Sequence, residues 1–598
     1  MNKQLQIFPK PQKISFSPGS FTKTRIWEIH VLEPHFEKVV HETLKSSEQN
    51  FFTSSTQPTL LVKKKPQTNI EGYRLEIDTN QVRIEASHQA GVFRALTTLA
   101  KIVQNSTSQK KIPCARIEDY PVFKRRGFML DVSRCKVPTM QSIWELIDLL
   151  AKLGYNELQL YVEHTFAFAK HPIVWKEASP LTGEEIRQID EYCKKKFIEL
   201  VPNLNSFGHF ERWLRHVAYH NLAECPNGFR RDEPFMERDH GSTLKPNQES
   251  LNFMDLLYQE YLPNFSSSNF NVGMDEPWEL GQGWSSEKVK THGKSKVYLE
   301  YLDGIRGLVE KHGKHMQFWA DVLLEEPENA KLLPPSAKPI IWGYEADHPF
   351  AEQAEIISSC GLSFCLAPGT ATWRSFSGRW PTARHNLSNA FTHAFKHHAD
   401  GILLTSWGDC GNHQPWPIFY PSLFLSAQWG WRNQDIDDQT LAKEINSSLW
   451  STTSSDPAGL LIELGKLDEI LGAMIPNASL AWNILFSSQP EKMPGFLKEN
   501  FTADKLNQGV EHLNSLQQDL EKIPNFEGKD EFQKEISLGI DLNLISLQKG
   551  IAQMSSLPSP ENNATDIVKR FESNWTQKAR SGGLKESSIL LKDALKST

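Results

Sequence analysis

Alternating and helically spaced apolar positions divide the chain into three parts. In the first, Tyr73, Leu75 and Ile77 alternate with polar residues, Asp78-Thr79-Asn80 forms a turn, and Val82, Ile84 and Ala86 alternate again, which predicts a hairpin. From Gln89 the period becomes helical, with Val92, Leu96, Leu99 and Val103 on one face. Residues 1–118 therefore read as a small α/β domain. Lys63-Lys64-Lys65 on the preceding strand reads as a solvated face, not a binding patch. No chemistry is apparent in this part.

Residues 119–434 repeat a strand-then-helix pattern. Strands are predicted over 128–132, 158–162, 198–202, 270–274, 316–319, 339–342, 362–366 and 401–406, and helices over 143–153, 184–195 and 248–261 among others. Eight such units predict an α/β fold of the (β/α)8 TIM-barrel class, with its active site at the carboxyl ends of the strands. The connection over 203–246 is too long for a plain barrel loop and reads as functional. Residues 435–598 carry helical stripes such as Leu506, Val510, Leu513, Leu516 and Leu520, which predict a C-terminal helical region packed on the barrel.

The polar residues at the predicted strand ends supply the chemistry. They are Asp131 and Arg134, Glu163-His164, Asn203, Asn205 and His209, Asp275-Glu276, and Trp319 and Asp321. Strands six to eight add Trp342, Tyr344 and Glu345, then Trp373 and Arg374, then Trp407 and Asp409. In Phe270-Asn271-Val272-Gly273-Met274-Asp275-Glu276-Pro277-Trp278, Pro277 is expected to stop the strand and release the two acids. An isolated Asp-Glu pair reads more readily as a helix cap beside a solvated acid. Acids, an Arg and several indoles converging on one barrel mouth reverse that preference: carboxylates and guanidinium bind hydroxyls while indoles wall a sugar ring. Adjacent carboxylates can also be driven to different protonation states, as acid/base catalysis requires.

Composition narrows the picture further. With 39% apolar and 23% charged residues among 598, the chain is of globular type, and 17 Trp suit sugar platforms. A net charge of −7 makes no electrostatic case for nucleic acid or an anionic membrane. No apolar run reaches membrane-spanning length, and residues 1–9 lack the apolar core of a signal peptide. Seven cysteines without metal-ligand spacing read as reduced thiols. The expected location is cytoplasmic, although a processed secreted chain would read the same. His216 and His220 lie four apart on a predicted helix but lack the His-Glu-x-x-His pattern and read as structural. No Gly-rich phosphate loop and no Gly-x-Ser-x-Gly elbow is present.

Several ordered motifs carry a family resemblance over residues 7–431. They are Glu71-Gly72-Tyr73-Arg74-Leu75, Gly91-Val92-Phe93, Arg126-Gly127-Phe128-Met129-Leu130-Asp131-Val132-Ser133-Arg134, Tyr161-Val162-Glu163-His164-Thr165-Phe166, Ser206-Phe207-Gly208-His209 and Val272-Gly273-Met274-Asp275-Glu276. On these the chain resembles glycoside hydrolase family 20, the β-N-acetylhexosaminidases, and especially their hexosaminidase D-like branch.

The resemblance implies an exo-acting enzyme that releases terminal β-linked GalNAc or GlcNAc by a retaining, substrate-assisted mechanism, an exception to the two-carboxylate scheme. It implies that Asp275 polarises the acetamido group, Glu276 is the acid/base, and His209 with Glu163 supports Glu276. It further implies that Arg134, Trp319, Trp342, Tyr344, Trp373, Trp407 and Asp409 bind the sugar. No cofactor or metal is implied, the partner is a small-molecule or oligosaccharide substrate, and a homodimer is left open. Glu163 stands where most of the family has Asp, Asp409 where it has Glu, and Met274 where it has Gly. Tyr344 is the candidate for the family's acetamido-contacting Tyr. The shortened Asp409 and the branch likeness tilt the sugar toward GalNAc. Two rivals stand beside this reading: a catalytically silent sugar-binding protein on the same barrel, and a retaining glycosidase with a carboxylate nucleophile.

Overall fold

The computed structural model describes residues 5–22, 26–46, 50–53, 59–105, 111–231, 236–473, 475–487, 502–555 and 563–596. The first four residues of the N-terminal stretch read for a signal therefore lie outside the described residues. A seven-stranded mixed sheet comes first, in the order Lys13–Thr22, Lys111–Asp119, Tyr73–Ile77, Val82–Ala86, Leu60–Lys64, Ile26–Val31 and Asn50–Thr53. The predicted hairpin is present, pairing Tyr73 with Ala86 and Ile77 with Val82. Asp78 Oδ1 closes its turn by accepting from the backbone N–H groups of Asn80 and Gln81 at 2.8 and 2.7 Å. The helix Gln89–Asn105 buries Val92, Leu96, Leu99 and Val103. The lysine run lies on a solvated face, as expected, with Lys64 exposed. Lys63 and Lys65 each lie 2.9 Å from a Glu85 oxygen on the paired strand, so the charges are matched across the sheet.

The Glu71 and Arg126 motifs weld this domain to the barrel. Arg126 Nη2 donates to both Glu71 oxygens at 2.8 and 2.7 Å, and Arg94 Nε donates to the same carboxylate at 2.8 Å. Burial alone would raise the Glu71 pKa, but the two guanidinium groups outweigh it and hold the carboxyl at about 2. Gly91 is needed because a Cβ there would sit 2.5 Å from the Gly72 carbonyl oxygen.

Eight parallel strands close the barrel in sequence order: β1 (Arg125–Asp131), β2 (Glu157–Val162), β3 (Glu199–Leu204), β4 (Asn269–Asn271), β5 (His315–Trp319), β6 (Lys338–Trp342), β7 (Cys365–Ala367) and β8 (Gly401–Ser406). β4 is shorter than predicted and ends well before Pro277. Gly273 and Met274 take φ of +70° and +77°, which breaks the extended chain. β7 likewise starts at Cys365, not at 362. In the long connection over 203–246, His216 and His220 do not share a helix. The helix Glu211–Leu214 ends first, and His216 only caps the 3-10 turn Val217–Leu222.

Beyond residue 434 the described residues are helical, as predicted, and are knitted to the barrel mouth. Arg580 N–H donates to the Val137 carbonyl at 2.8 Å, Arg212 pairs with Glu586 at 2.6 Å, and Glu535 accepts from the Trp416 N–H at 3.1 Å. None of the seven cysteines is joined in a disulfide. Among the described residues no helix is long and apolar enough to cross a membrane.

Candidate active site

At the end of β1, Asp131 makes a turn anchor: Oδ1 accepts from the Ser133 N–H at 2.8 Å, and Oδ2 from the Gly408 N–H at 3.0 Å. It thereby fixes the start of Arg134. The Arg134 guanidinium lies 3.2 Å from Asp131 and 3.1 Å from Glu163, and stacks over the rings of Tyr161 and Trp407 at 4.8 and 5.1 Å. Glu163, beyond β2, accepts from the Tyr161 hydroxyl at 3.0 Å. Asn205 Nδ2 donates in turn to that hydroxyl at 2.5 Å. Tyr161 and Asn205 thus hold the polar floor; Asn205 is among the strand-end residues read from the sequence, whereas Tyr161 stands there only as part of a family motif.

The β3 and β4 loops interlock. A Cβ at Gly208 would stand 2.3 Å from the Asp275 carbonyl oxygen, and one at Gly273 would stand 1.8 Å from Asn205 Oδ1. His209, Met274 and Glu276 all have positive φ, at +60°, +77° and +47°. Backbone strain is therefore concentrated where the two acids are presented. Met274, at the family's glycine position, bears that conformation with its side chain fully buried.

His209 Nε2 lies 3.1 Å from Asp275 Oδ2 and 3.6 Å from Glu276 Oε2, while its Nδ1 is 3.9 Å from Glu163. Its closest partner is thus Asp275, not Glu276. Burial disfavours the imidazolium, but the Asp275 carboxylate outweighs burial and carries the His209 pKa up to about 10. Asp275 retains 8% exposure and Glu276 34%, so Glu276 is the acid presented to the pocket opening. Burial raises the Glu276 carboxyl, the His209 cation opposes it, and the neighbouring Asp275 carboxylate adds to burial, which leaves the group above its ordinary value.

Asp321, beyond β5, accepts from the Glu276 N–H at 3.0 Å and lies 3.4 Å from Trp342 Nε1. Burial and the Asp275 carboxylate push its pKa up to about 8. Trp319 is fully buried beneath the pocket. Trp342 and Tyr344 stack at 5.2 Å, Trp373 meets Tyr344 edge-on at 5.0 Å, and Trp407 Nε1 donates to the Tyr344 hydroxyl at 2.8 Å. Asp409, 36% exposed, is 4.0 Å from Arg134 Nε, too far to consume its oxygens.

These side chains enclose one pocket of about 470 Å³, open mouth included; of the residues that the family resemblance assigns to the site, all line it except Glu163, which contacts Arg134, whereas Asp131, His164, Asn203, Asn205, Asp321, Glu345 and Arg374 from the strand ends do not. One further lining residue, Asn477, comes from the C-terminal helical region. Asp275 Oδ1 is buried with no hydrogen-bond partner in the protein. Among the described residues no group of three or more His, Cys, Asp or Glu is arranged to hold a metal ion.

The family 20 glycosyl hydrolase domain 2 matches residues 4–120, and the family 20 catalytic domain matches residues 123–385. Beta-hexosaminidase subunit beta of Felis catus is 24% identical over 333 residues, which span 52% of this chain and 60% of the feline protein. Hexosaminidase D of Bos taurus is 23% identical over 304 residues, spanning 45% of this chain and 80% of the bovine one. Among solved structures, Flavobacterium johnsoniae chitobiase superposes over 100% of both chains with a TM-score of 0.61 at 19% identity. The exo β-N-acetylglucosaminidase of Vibrio harveyi gives a TM-score of 0.61 at 18% identity over 77% of this chain and 78% of that one. These structures share the fold. With the two domain matches lying end to end along the sheet domain and the barrel, the chain belongs to glycoside hydrolase family 20.

Proposed function

We propose that the chain is an exo-acting β-N-acetylhexosaminidase that removes terminal β-linked GalNAc or GlcNAc with retention, using the substrate's own acetamido oxygen as nucleophile. The observation that carries this reading is Asp275: one carboxylate oxygen is engaged by His209, and the other is buried and unpartnered in a tryptophan-walled pocket. A buried acceptor without a donor is costly, and an acetamido N–H supplies that donor.

In this reaction the acetamido oxygen bonds to the anomeric carbon as the glycosidic C–O bond breaks, and Glu276 gives its proton to the leaving oxygen. Asp275 orients the amide and offsets the positive charge that grows on the oxazolinium ring. Water then attacks the anomeric carbon, Glu276 takes its proton, and the bond to the acetamido oxygen breaks. A carboxyl raised by burial is suited to start this cycle protonated. Asp131 and Glu163 are tied to Arg134, and Asp321 to the Glu276 N–H and Trp342. Such engagement argues against any of the three as a free carboxylate nucleophile. Asp409 and Arg134 are the groups offered to outer hydroxyls.

Steady-state hydrolysis of 4-nitrophenyl β-GalNAc, β-GlcNAc and β-galactoside, with and without an acetamido-derived thiazoline, tests the reading. Turnover of the acetamido sugars alone, blocked by the thiazoline, is expected. Equal turnover of the galactoside would instead establish a carboxylate nucleophile, and sugar binding without product a silent binder.

A further inference from the structure

The C-terminal helical region reaches the sugar pocket through Asn477, which lines it together with Asp275, Glu276 and Trp373. The backbone around Asn477 is pinned from both sides. Its N–H donates to Glu345 Oε1 at 2.8 Å. Glu345 is held by Arg379 Nη1, which also donates to the Ile475 carbonyl at 3.2 Å. Two residues on, the Ser479 N–H donates to the Arg374 carbonyl at 2.9 Å. Arg374 itself lies 4.7 Å over the Trp482 ring. The acid at the end of β6 thus anchors a segment contributed from far along the chain. Asn477 sits at φ +57°, a conformation that Asn tolerates better than most residues.

The Asn477 side-chain oxygen is buried and has no hydrogen-bond partner in the protein. The β6–β7 sector of the pocket is otherwise walled by Trp342, Tyr344 and Trp373; the Tyr344 hydroxyl already accepts from Trp407 Nε1, and the Asn477 carboxamide adds a neutral group that both donates and accepts. Sugar hydroxyls need such a partner, since a hydroxyl buried against indoles alone loses its hydrogen bonds to water. Neither matched family segment extends to this residue, the second ending at 385.

We propose that Asn477 is a specificity-determining residue that hydrogen-bonds a ring or hydroxymethyl hydroxyl of the terminal sugar, so that the helical region completes the pocket. This inference rests on the hexosaminidase reading. Its test is kcat/KM for Asn477→Gly, a substitution that keeps the positive φ accessible while removing the carboxamide. The substrates are aryl β-GlcNAc and β-GalNAc and their 3-, 4- and 6-deoxy analogues. The variant should lose about tenfold on the parent sugars, as for one lost neutral hydrogen bond, and about twofold or less on the one analogue lacking the hydroxyl that is read. The comparison is made within one variant, so any loss of folded protein cancels. No loss on any substrate, or the same loss on all, overturns the proposal. Should the wild type turn over none of these substrates, the hexosaminidase reading falls separately. Calorimetric titration of free GlcNAc and GalNAc then decides for Asn477: weaker binding by the variant supports the contact, and equal affinity overturns it.

Discussion

Asp275→Asn removes one charge and almost no volume, which makes it the sharpest test of substrate assistance. In the folded protein Asp275 Oδ2 is 3.1 Å from His209 Nε2, and Oδ1 is unpartnered. An oxazolinium forming against Oδ1 would place a positive charge at roughly 4 Å from the carboxylate. With an effective dielectric of about 20, that pair is worth about 4 kcal/mol. Exchanging a charge-assisted bond to the acetamido N–H for a neutral one adds about 1 kcal/mol. A barrier raised by about 4–5 kcal/mol corresponds to a fall of about 10³-fold in kcat. The bound substrate carries only a neutral amide, so KM should move by no more than a few-fold. Steady-state kinetics on 4-nitrophenyl β-GlcNAc measures both quantities. NMR titration of His209 in the same variant supplies a structural control: without the carboxylate, its pKa should drop from about 10 toward the ordinary imidazole range. A variant whose His209 titration moves as expected while kcat stays within tenfold of wild type would refute the reasoning. Asp275 would then be a partner of His209 and not of the reaction.

Other perturbations probe the surroundings. His209→Asn removes a cation 3.6 Å from Glu276, and a cation favours the ionised carboxylate. The Glu276 pKa should therefore rise, moving the alkaline limb of the kcat/KM profile up by about one pH unit or more; a limb that stays or moves down would show that His209 does not tune the acid. Met274→Gly tests one of the three positions at which the chain departs from the pattern that its family resemblance implies. Glycine relieves a left-handed backbone worth about 1–2 kcal/mol but deletes a fully buried side chain worth about 2–5 kcal/mol. A net loss of about 2 kcal/mol is expected in denaturant unfolding, and a stabilised variant would mean that strain at Met274 outweighs its packing.

The strands and helices were readable because their signal is local. Alternation at Tyr73, Leu75 and Ile77 and the stripe of Val92, Leu96, Leu99 and Val103 record which face is buried, and the structure buries those faces. The end of β4 is not legible in the sequence, because its cause is not local. Gly273 invites positive φ, but Met274 adopts it only because the interlocked β3 loop demands it, and no propensity encodes that demand. Motifs such as Glu71-Gly72 and Arg126-Gly127 looked like family signatures; the structure gives them a physical task, an ionic weld between two domains.

The sequence by itself determined the (β/α)8 architecture, and with it the convergence of Arg134, His209, Asp275, Glu276, Trp407 and Asp409. Once eight strands alternate with helices, chain direction alone brings the carboxyl ends of the strands to one mouth. Only the tertiary structure decided the pairings inside that mouth. It turns His209 toward Asp275 more closely than toward Glu276, gives Asp321 to the Glu276 N–H, and spends Glu345 on holding Asn477. Such pairings depend on ångström-scale approach between residues distant in sequence. Hydrophobic periodicity specifies which face of an element is buried, and carries no information on which polar atoms meet there.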